Sequence, residues 1–232
     1  MALVGDGFLV MWHDIAPDMQ GEYTEWHTRE HMPERLSIPG FLVGKRLVNH
    51  QLDHYRYGTI YTGRDVEVFR SPAYLARLND PTPWSNKLQP AFRNFLRVAC
   101  VRLASAGLGD GGAVATTRLS FADGAGEAEV REGGQALVER ILAIKGVCGA
   151  HVGLARTEIS GVRTRETELR PEMAESGFDA VVITEGSGRP ELESAIGEIE
   201  AVIAASSCRL TGPRSIVYNL AYELTATDMG QS

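Results

Sequence analysis

The stretch Gly21–Phe41, GEYTEWHTREHMPERLSIPGF, decides the predicted fold of the first half of the chain. Side chains that are four residues apart lie on one face of a helix. One such face of this stretch carries a phenol, two imidazoles and a guanidinium, which belong to Tyr23, His27, His31 and Arg35. Few helices place so many polar rings on a face that looks buried, so the pattern predicts a functional site beside the helix.

The helix is predicted over Gly21–Ile38. Pro33 has no backbone N–H to donate, and we expect it to kink or restart the helix. The pair Pro39-Gly40 ends the helix, and Phe41 begins an apolar strand. The segment therefore predicts a helix, a tight turn and a strand in sequence.

Outward from this stretch, the first half reads as β-α-β-β-α-β, the split βαβ order. The strands are predicted at Gly7–Ile15, Phe41–Asn49, His54–Gly63 and Leu96–Leu103, and further helical segments at Asp65–Leu78 and Trp84–Phe95.

The same order of elements returns after a glycine-rich linker, residues 106–112. Strands are predicted at Val114–Phe121, Gly146–Arg156, Phe178–Gly186 and Pro213–Leu224, and helices at Glu127–Lys145 and Pro190–Ala205. The first of these helices is weakened by Gly133-Gly134. A charged insertion, residues 158–176, has no counterpart in the first half, and we expect a surface loop or mobile arm.

These patterns predict an α+β fold made of two ferredoxin-like βαββαβ halves, residues 1–105 and 113–232. A four-stranded sheet with both helices on one face leaves its other face uncovered. Two such sheets in one chain can cover each other, which predicts an intramolecular pseudo-dimeric α+β barrel. Any homo-oligomer would then form through surfaces other than the paired sheets.

The composition excludes several classes of protein. The 232 residues carry a formal net charge of −7, so no basic stripe is available to gather the phosphates of a nucleic acid. No apolar run approaches the ~20 residues that cross a bilayer, and the start of the chain does not resemble a signal peptide. Three dispersed cysteines in apolar surroundings predict free thiols and a cytoplasmic location: Cys100, Cys148 and Cys208.

The run from Trp26 to Arg35, followed by Ile38-Pro39-Gly40-Phe41, resembles the dimeric α+β barrel superfamily and in particular its EthD-like group, named for ethyl tert-butyl ether degradation. That group carries a similar tryptophan, histidine and proline run before a Pro-Gly-Phe turn. The resemblance implies His31 as a pocket histidine. The superfamily includes cofactor-free monooxygenases, cyclases, isomerases, dehydratases and haem proteins. The fused halves depart from the usual homodimer, and the second half lacks these residues, so it resembles a degenerate copy.

Eight residues are the candidates for a site. The predicted catalytic residues are His31, His27, Tyr57 and Tyr61, and the predicted substrate-binding residues are Trp12, Tyr23, Trp26 and Arg35. An imidazole titrates near neutrality and can take and return a proton, and a phenol can donate to an enolate oxygen. The competing interpretation makes the histidines core residues, the aromatic rings packing residues and the guanidinium a solvated surface group.

The segment His27–His31 also matches the H-x-x-E-H pattern of a group of zinc peptidases. A catalytic zinc needs a third protein ligand, which the sequence does not identify. We therefore predict no metal and no tightly bound cofactor, with haem or a metal ion as the alternatives.

The residue set favours a small-molecule enzyme that uses histidine acid/base chemistry on a carbonyl-containing, cyclic or polyketide-like substrate. Enolisation is the first step common to cyclisation, dehydration, decarboxylation and cofactor-free oxygenation, so a lyase, an isomerase and a monooxygenase all remain open. The alternative function is a non-catalytic binding or stress-related module that holds a hydrophobic metabolite or haem.

Overall fold

The computed structural model describes residues 3–170, the backbone of residues 173–174, and residues 177–230. The chain forms two compact units. Unit I contains residues 7–99, 156–176 and 221–232, and unit II contains residues 1–6, 100–155 and 177–220. Each unit therefore includes residues from both sides of the predicted linker.

Unit I contains the elements of the first sequence half. They are β1 (Gly7–Ile15), α1 (Gln20–Trp26), α2 (Met32–Leu36), β2 (Phe41–Val48), β3 (Tyr57–Gly63), α3 (Pro72–Asn79), α4 (Pro83–Leu88) and the first part of β4 (Phe92–Gly107). Strand β3 lies between β1 and β2 and is antiparallel to both. The observed β-α-β-β-α-β order is the predicted one, and the boundaries of β1 agree with the prediction.

The predicted first helix contains a wider turn in its middle. Helix α1 is followed by a π-helical turn, His27–His31, and then by α2. In this turn the Met32 N–H donates to the His27 carbonyl, five residues back. Pro33 follows directly and has no N–H to continue an α-helical ladder. The predicted kink at Pro33 is therefore a π-turn just before the proline, a feature that is frequent at functional sites.

The second helical region of unit I is shorter than predicted. Helix α4 ends at Leu88, a 3₁₀ turn follows over Gln89–Ala91, and β4 begins at Phe92 instead of Leu96. Pro90 inside this region explains the early end, because proline removes a helical hydrogen bond. As a result Phe92 and Phe95, predicted to be helical, lie on a strand.

The second half of the chain supplies the remaining elements. They are β5 (Ala113–Phe121), α5 (Glu127–Leu142), β6 (Val147–Ala155), α6 (Thr157–Ser160), α7 (Arg165–Leu169), β7 (Met173–Ala174), β8 (Ala180–Gly186), α8 (Arg189–Ala204) and β9 (Leu210–Thr225). In unit II the strands are antiparallel in the order β9-β5-β8-β6-β4. Helices α5 and α8 pack against this sheet and bury an aliphatic core. The predicted fold class, α+β with two ferredoxin-like halves, is confirmed.

Helix α5 runs without a break through the glycine pair that was expected to weaken it. A side chain at Gly133 would place its Cβ 2.4 Å from the Ser207 Oγ and 3.1 Å from the Cys208 Sγ. Close approach of the 207–208 backbone thus requires the glycine, and packing offsets its low helix propensity.

The inserted segment folds onto unit I. Helices α6 and α7 lie in it, and Ile159 belongs to the core that α2 and α3 share. Glu166 on α7 is 1% exposed and forms ion pairs with Arg35 and, at 3.3 Å, with Arg170. The expectation of a surface loop or mobile arm is therefore wrong for residues 158–170. Residues 171, 172, 175 and 176 lie outside the described part of the chain.

The buried position of Glu166 gives a test of this packing. The Glu166→Ala variant leaves two buried guanidinium groups without this counter-charge, and we expect the free energy of unfolding to fall by about 3 kcal/mol. The control is Glu168→Ala in the same helix, because its side chain is 43% exposed. That variant is expected to lose less than about 1 kcal/mol. Urea unfolding followed by circular dichroism measures both, and equal losses would contradict the packing described here.

Candidate functional site

A small cavity lies within unit I between the first helix and the strands. Its lining residues are Met11, His13, Tyr23, His27, His31, Thr59, Phe92, Phe95 and Arg170. The cavity offers about 20 Å³ to the centre of a water-sized sphere, which is room for about one or two water molecules. Most of its wall is aromatic, and its polar groups come from four separate parts of the chain.

Strand alternation explains which residues face the cavity. On β1, Met11 and His13 lie on one face and Trp12 lies on the other. The register between β1 and β3 places His13 opposite Tyr57. Thr59 lies two residues further along β3, so it shares the face of Tyr57. Pairing of these two strands therefore brings a third histidine to the predicted pocket.

Three imidazole rings are buried together at this cavity. His13, His27 and His31 are 2%, 3% and 8% exposed. Across the described residues, the Nδ1 atom of each ring has no hydrogen-bond partner. The Nε2 atom of His13 lies 3.0 Å from the Tyr23 hydroxyl. A buried nitrogen without a partner is unusual in a folded protein and calls for a ligand or a catalytic role.

The π-turn sets the spacing of two of these rings. The ring centroids of His27 and His31 are 5.5 Å apart. His31 also packs over the Trp26 indole, with centroids 4.2 Å apart, and Trp26 Nε1 donates to the Ser85 hydroxyl at 3.2 Å. Trp26 therefore supports His31 from behind and does not itself line the cavity.

The electrostatic environment keeps the imidazoles neutral. Burial, together with the positive charge of Arg170, lowers the pKa of His13 to about 3. Burial also holds the pKa of His27 and of His31 well below the ordinary value, and for His31 the next cause is Arg35. The expectation of an imidazole that titrates near neutrality is therefore wrong for the free site. At neutral pH these rings are free bases.

Arg170 brings a cation to the wall of the cavity. Its Nε donates to Gln89 Oε1 at 2.6 Å, and its guanidinium carbon lies 4.0 Å from the centroid of the Phe95 ring. Burial lowers the pKa of Arg170 to about 10, and Glu166 opposes the shift. The guanidinium thus keeps its charge at neutral pH although it is 9% exposed.

Some of the predicted site residues lie at the cavity, and others lie in the packed core. His27, His31 and Tyr23 line the cavity, and Tyr57 lies next to it, with its ring 5.0 Å from that of Tyr23. Trp12 lies on the other face of β1. 

Tyr61 and Arg35 lie in the packed core, and Arg35 is a residue of α2. Tyr61 packs edge-on against Phe41 at 5.8 Å. Arg35 is 2% exposed and binds Glu34 and Glu166, so its interpretation as a solvated surface group is wrong. The reason is the inserted segment, which supplies a buried carboxylate for this guanidinium.

Sequence reasoning missed His13, Arg170 and the phenylalanines of β4 as cavity residues. The pairing of β1 with β3 was the signal that would have revealed His13, because it sits across from a predicted site tyrosine. Arg170 carries no local signal, since it reaches unit I from a segment more than a hundred residues beyond the first helix.

The H-x-x-E-H segment does not assemble a metal site in the described residues. No group of three histidine, cysteine, aspartate or glutamate side chains there has the arrangement of a metal centre. Glu30, the acidic residue of the pattern, accepts a hydrogen bond from the Thr82 hydroxyl at 2.5 Å. Within the described residues the three cysteines form no disulfide, and two of them are buried.

No protein-family model and no curated protein sequence matches the chain. Solved structures do match it, at 10–13% sequence identity. An anthrone oxidase-like protein is similar over 95% of this chain and 92% of its own, with a TM-score of 0.62 and 13% identity. A proposed monooxygenase from Fusobacterium nucleatum is similar over 96% of both chains, with a TM-score of 0.59 and 10% identity.

A chlorite dismutase variant from Candidatus Nitrospira defluvii is similar over 93% of this chain and 90% of its own, with a TM-score of 0.56 and 10% identity. At these identities the likeness shows the fold, α+β with ferredoxin-like halves, and not the activity. In the part of the chain that the structure describes, no helix has the length and apolar composition needed to cross a membrane.

The lowered pKa values predict how stability depends on pH. Because the folded pKa of each buried histidine is below the unfolded value of 6.5, the unfolded state binds more protons below about pH 6.5. The free energy of unfolding should therefore fall as the pH is lowered from about 7 to 5.5, by about 1 kcal/mol for each ring that stays neutral.

Replacing one ring tests that origin. His31→Gln should reduce the slope of stability against pH, and Thr59→Val, which alters the same cavity without a titrating group, should not. Urea unfolding at several pH values gives the slopes. An unchanged slope in His31→Gln would show that this ring is not kept neutral by the fold.

Proposed function

We propose that the chain is a small-molecule enzyme that removes a proton from a carbon next to a carbonyl group, without a tightly bound cofactor. The observation that carries the proposal is the cavity with three buried imidazoles, each with an unpartnered Nδ1 atom, beside a buried guanidinium. A base, a positive environment and apolar walls are what an enolisation site requires.

His31 is the best candidate for the base. It is the most exposed of the three residues, and its ring is tilted by 31° against that of Trp26. His13, in contrast, uses Nε2 in its contact with the Tyr23 hydroxyl. His27 packs between His31 and Tyr23 and is the second candidate for the base.

The low pKa of His31 suits a reaction that creates an anion. A neutral ring is present as free base at every pH near neutrality, so no proton has to leave first. When it takes a proton from the substrate, an enolate forms beside it. The negative charge of the enolate then favours the imidazolium and raises its pKa. Proton transfer thus becomes favourable only when a substrate anion forms in the same dry site.

Oxygenation is the favoured outcome among the enolisation reactions. Two of the similar solved structures are a proposed monooxygenase and an anthrone oxidase-like protein. In anthrone oxidation the carbanion reacts with dioxygen, and anthrone plus dioxygen gives anthraquinone plus water. Such chemistry requires a base and a charged environment, and the neutral imidazoles beside Arg170 support the proposal that the cavity supplies them.

Neither haem nor a substrate of several rings fits this cavity unless its wall side chains move. Imidazole ligands are present, but the space beside them is about 20 Å³, whereas ligand pockets for molecules of that size span about 300–1,000 Å³. A substrate of several rings also requires wall side chains such as Met11 and Phe92 to move aside. Denaturing the purified protein and searching for a released ligand, with a Soret band as the haem check, tests the binding-module alternative.

Anthrone oxidation provides the direct test of the proposal. We expect the wild-type protein to accelerate dioxygen consumption and anthraquinone formation in equal amounts. His31→Ala should reduce the rate by about a hundredfold or more, because general-base catalysis contributes about that much. The control His54→Ala removes an exposed imidazole outside the cavity and should keep the full rate.

Two results would refute the proposal. One is a wild-type protein that does not accelerate anthrone oxidation or the enolisation of a simple 1,3-diketone. The other is a His31→Ala variant that retains the wild-type rate while its fold, judged by the melting temperature, is intact.

A further inference from the structure

Arg170 has a geometry that the proposed proton abstraction does not itself explain. Among the residues that line the cavity, it comes from the inserted segment, whose helices α6 and α7 fold onto unit I. The other polar lining groups lie on the first helix, β1 and β3. The segment therefore delivers a cation to a site that is otherwise built from neutral rings.

The guanidinium of Arg170 is held in one orientation. Its Nε donates to Gln89, its Nη2 contacts Glu166 Oε2 at 3.3 Å, and its face covers the Phe95 ring. Glu166 in turn binds Arg35 through its other oxygen. A planar fork that is fixed at two donors and on one face presents its remaining donor in a defined direction.

That remaining donor, Nη1 of Arg170, has no hydrogen-bond partner in the described part of the chain. Burial of a charged donor without an acceptor is costly, and such groups in native structures usually serve a ligand. The three imidazoles nearby are neutral, so they neither repel an anion nor neutralise one. The cavity thus combines a fixed cationic donor with rings that offer N–H or lone-pair contacts.

We propose that Arg170 is the anion-binding residue of this cavity and that its Nη1 group holds a negatively charged oxygen of the substrate. The inference deepens the proposed function and rests on it for the reaction, but the binding of the anion is a separate event. The oxygen can come from a carboxylate that the substrate already carries or from the enolate that proton abstraction creates. Both sources share the same chemistry, a charged oxygen on a guanidinium N–H.

Two small probes distinguish these sources. Acetate represents the carboxylate, with acetamide as its neutral counterpart of equal size, and calorimetric titration measures their binding. Acetylacetone represents the enol, and the absorbance of its enolate reports ionisation on mixing with the protein. Both are used at constant ionic strength, because a non-specific salt effect would otherwise resemble anion binding.

Arg170→Gln should weaken the binding of the charged probe by about tenfold or more, since it removes a charge-assisted hydrogen bond. The control Arg165→Gln makes the same change of charge in the same segment, at a residue that is exposed and does not line the cavity. That control should change the binding by less than about twofold. Arg170→Lys keeps the charge without the fork and should fall between wild type and Arg170→Gln.

The outcomes assign the source or reject the inference. Acetate binding that depends on Arg170 assigns a carboxylate, and an enolate signal that depends on Arg170 assigns the enolate. The inference is overturned if neither probe depends on Arg170, if acetamide binds as well as acetate, or if Arg165→Gln has an equal effect. If Arg170→Gln does not fold, the comparison of Arg170→Lys with Arg165→Gln decides by the same criteria.

Failure of the proposed function would give different experimental results from failure of the anion-binding inference. A protein that binds acetate through Arg170 but does not oxidise anthrone or enolise a diketone keeps the anion site and loses the proposed reaction. A protein whose reaction requires His31 but not Arg170 keeps the reaction and loses this inference.

Discussion

The position of the Arg170 guanidinium at the cavity depends on the ion pairs of the buried Glu166 carboxylate. This carboxylate binds Arg35 of the first helix and Arg170 of the inserted segment, and it is almost fully shielded from water. A buried charge of this kind must be paired, since desolvation without compensation is strongly unfavourable. The same pairing fixes the segment onto unit I and orients the Arg170 guanidinium at the cavity.

This arrangement lowers the pKa values of the cavity histidines. Desolvation and the nearby guanidinium groups disfavour the imidazolium forms of His13, His27 and His31. The result is a site that holds free bases in a positive environment without carrying protons itself. In the reaction that we propose, this arrangement stabilises the substrate anion when it forms.

Sequence patterns predicted the local elements correctly. They failed where residues distant in the chain determine the local structure. The alternation in Gly7–Ile15 and the order of the elements predicted the strands and the fold class correctly. The helix face that carries His27 and His31 predicted two cavity residues, because helical spacing alone places these side chains together. The π-turn was not predicted, because Pro33 indicates a kink without specifying a π-helical turn.

The remaining errors have two origins, one local and one distant in the chain. Pro90 was read as part of a helix, so Phe92 and Phe95 were assigned to the wrong element. The segment that carries Arg170 is charged, and charge predicts exposure unless a buried partner is known. For Glu166 of this segment that partner is Arg35, which was predicted to bind substrate, with the solvated surface as the competing interpretation. Two charged groups that neutralise each other in the interior are each mispredicted when they are considered alone.

Whether the fold keeps the three cavity histidines neutral can be measured from their protonation state. Nuclear magnetic resonance of the protein with isotope-labelled histidine reads the ring nitrogen shifts, which differ between neutral imidazole and imidazolium. At about pH 5.5 an unfolded histidine is mostly protonated, and the same protein in urea supplies that reference. We expect neutral rings for His13, His27 and His31 in the folded protein at this pH. Imidazolium signals from these three residues would contradict this expectation.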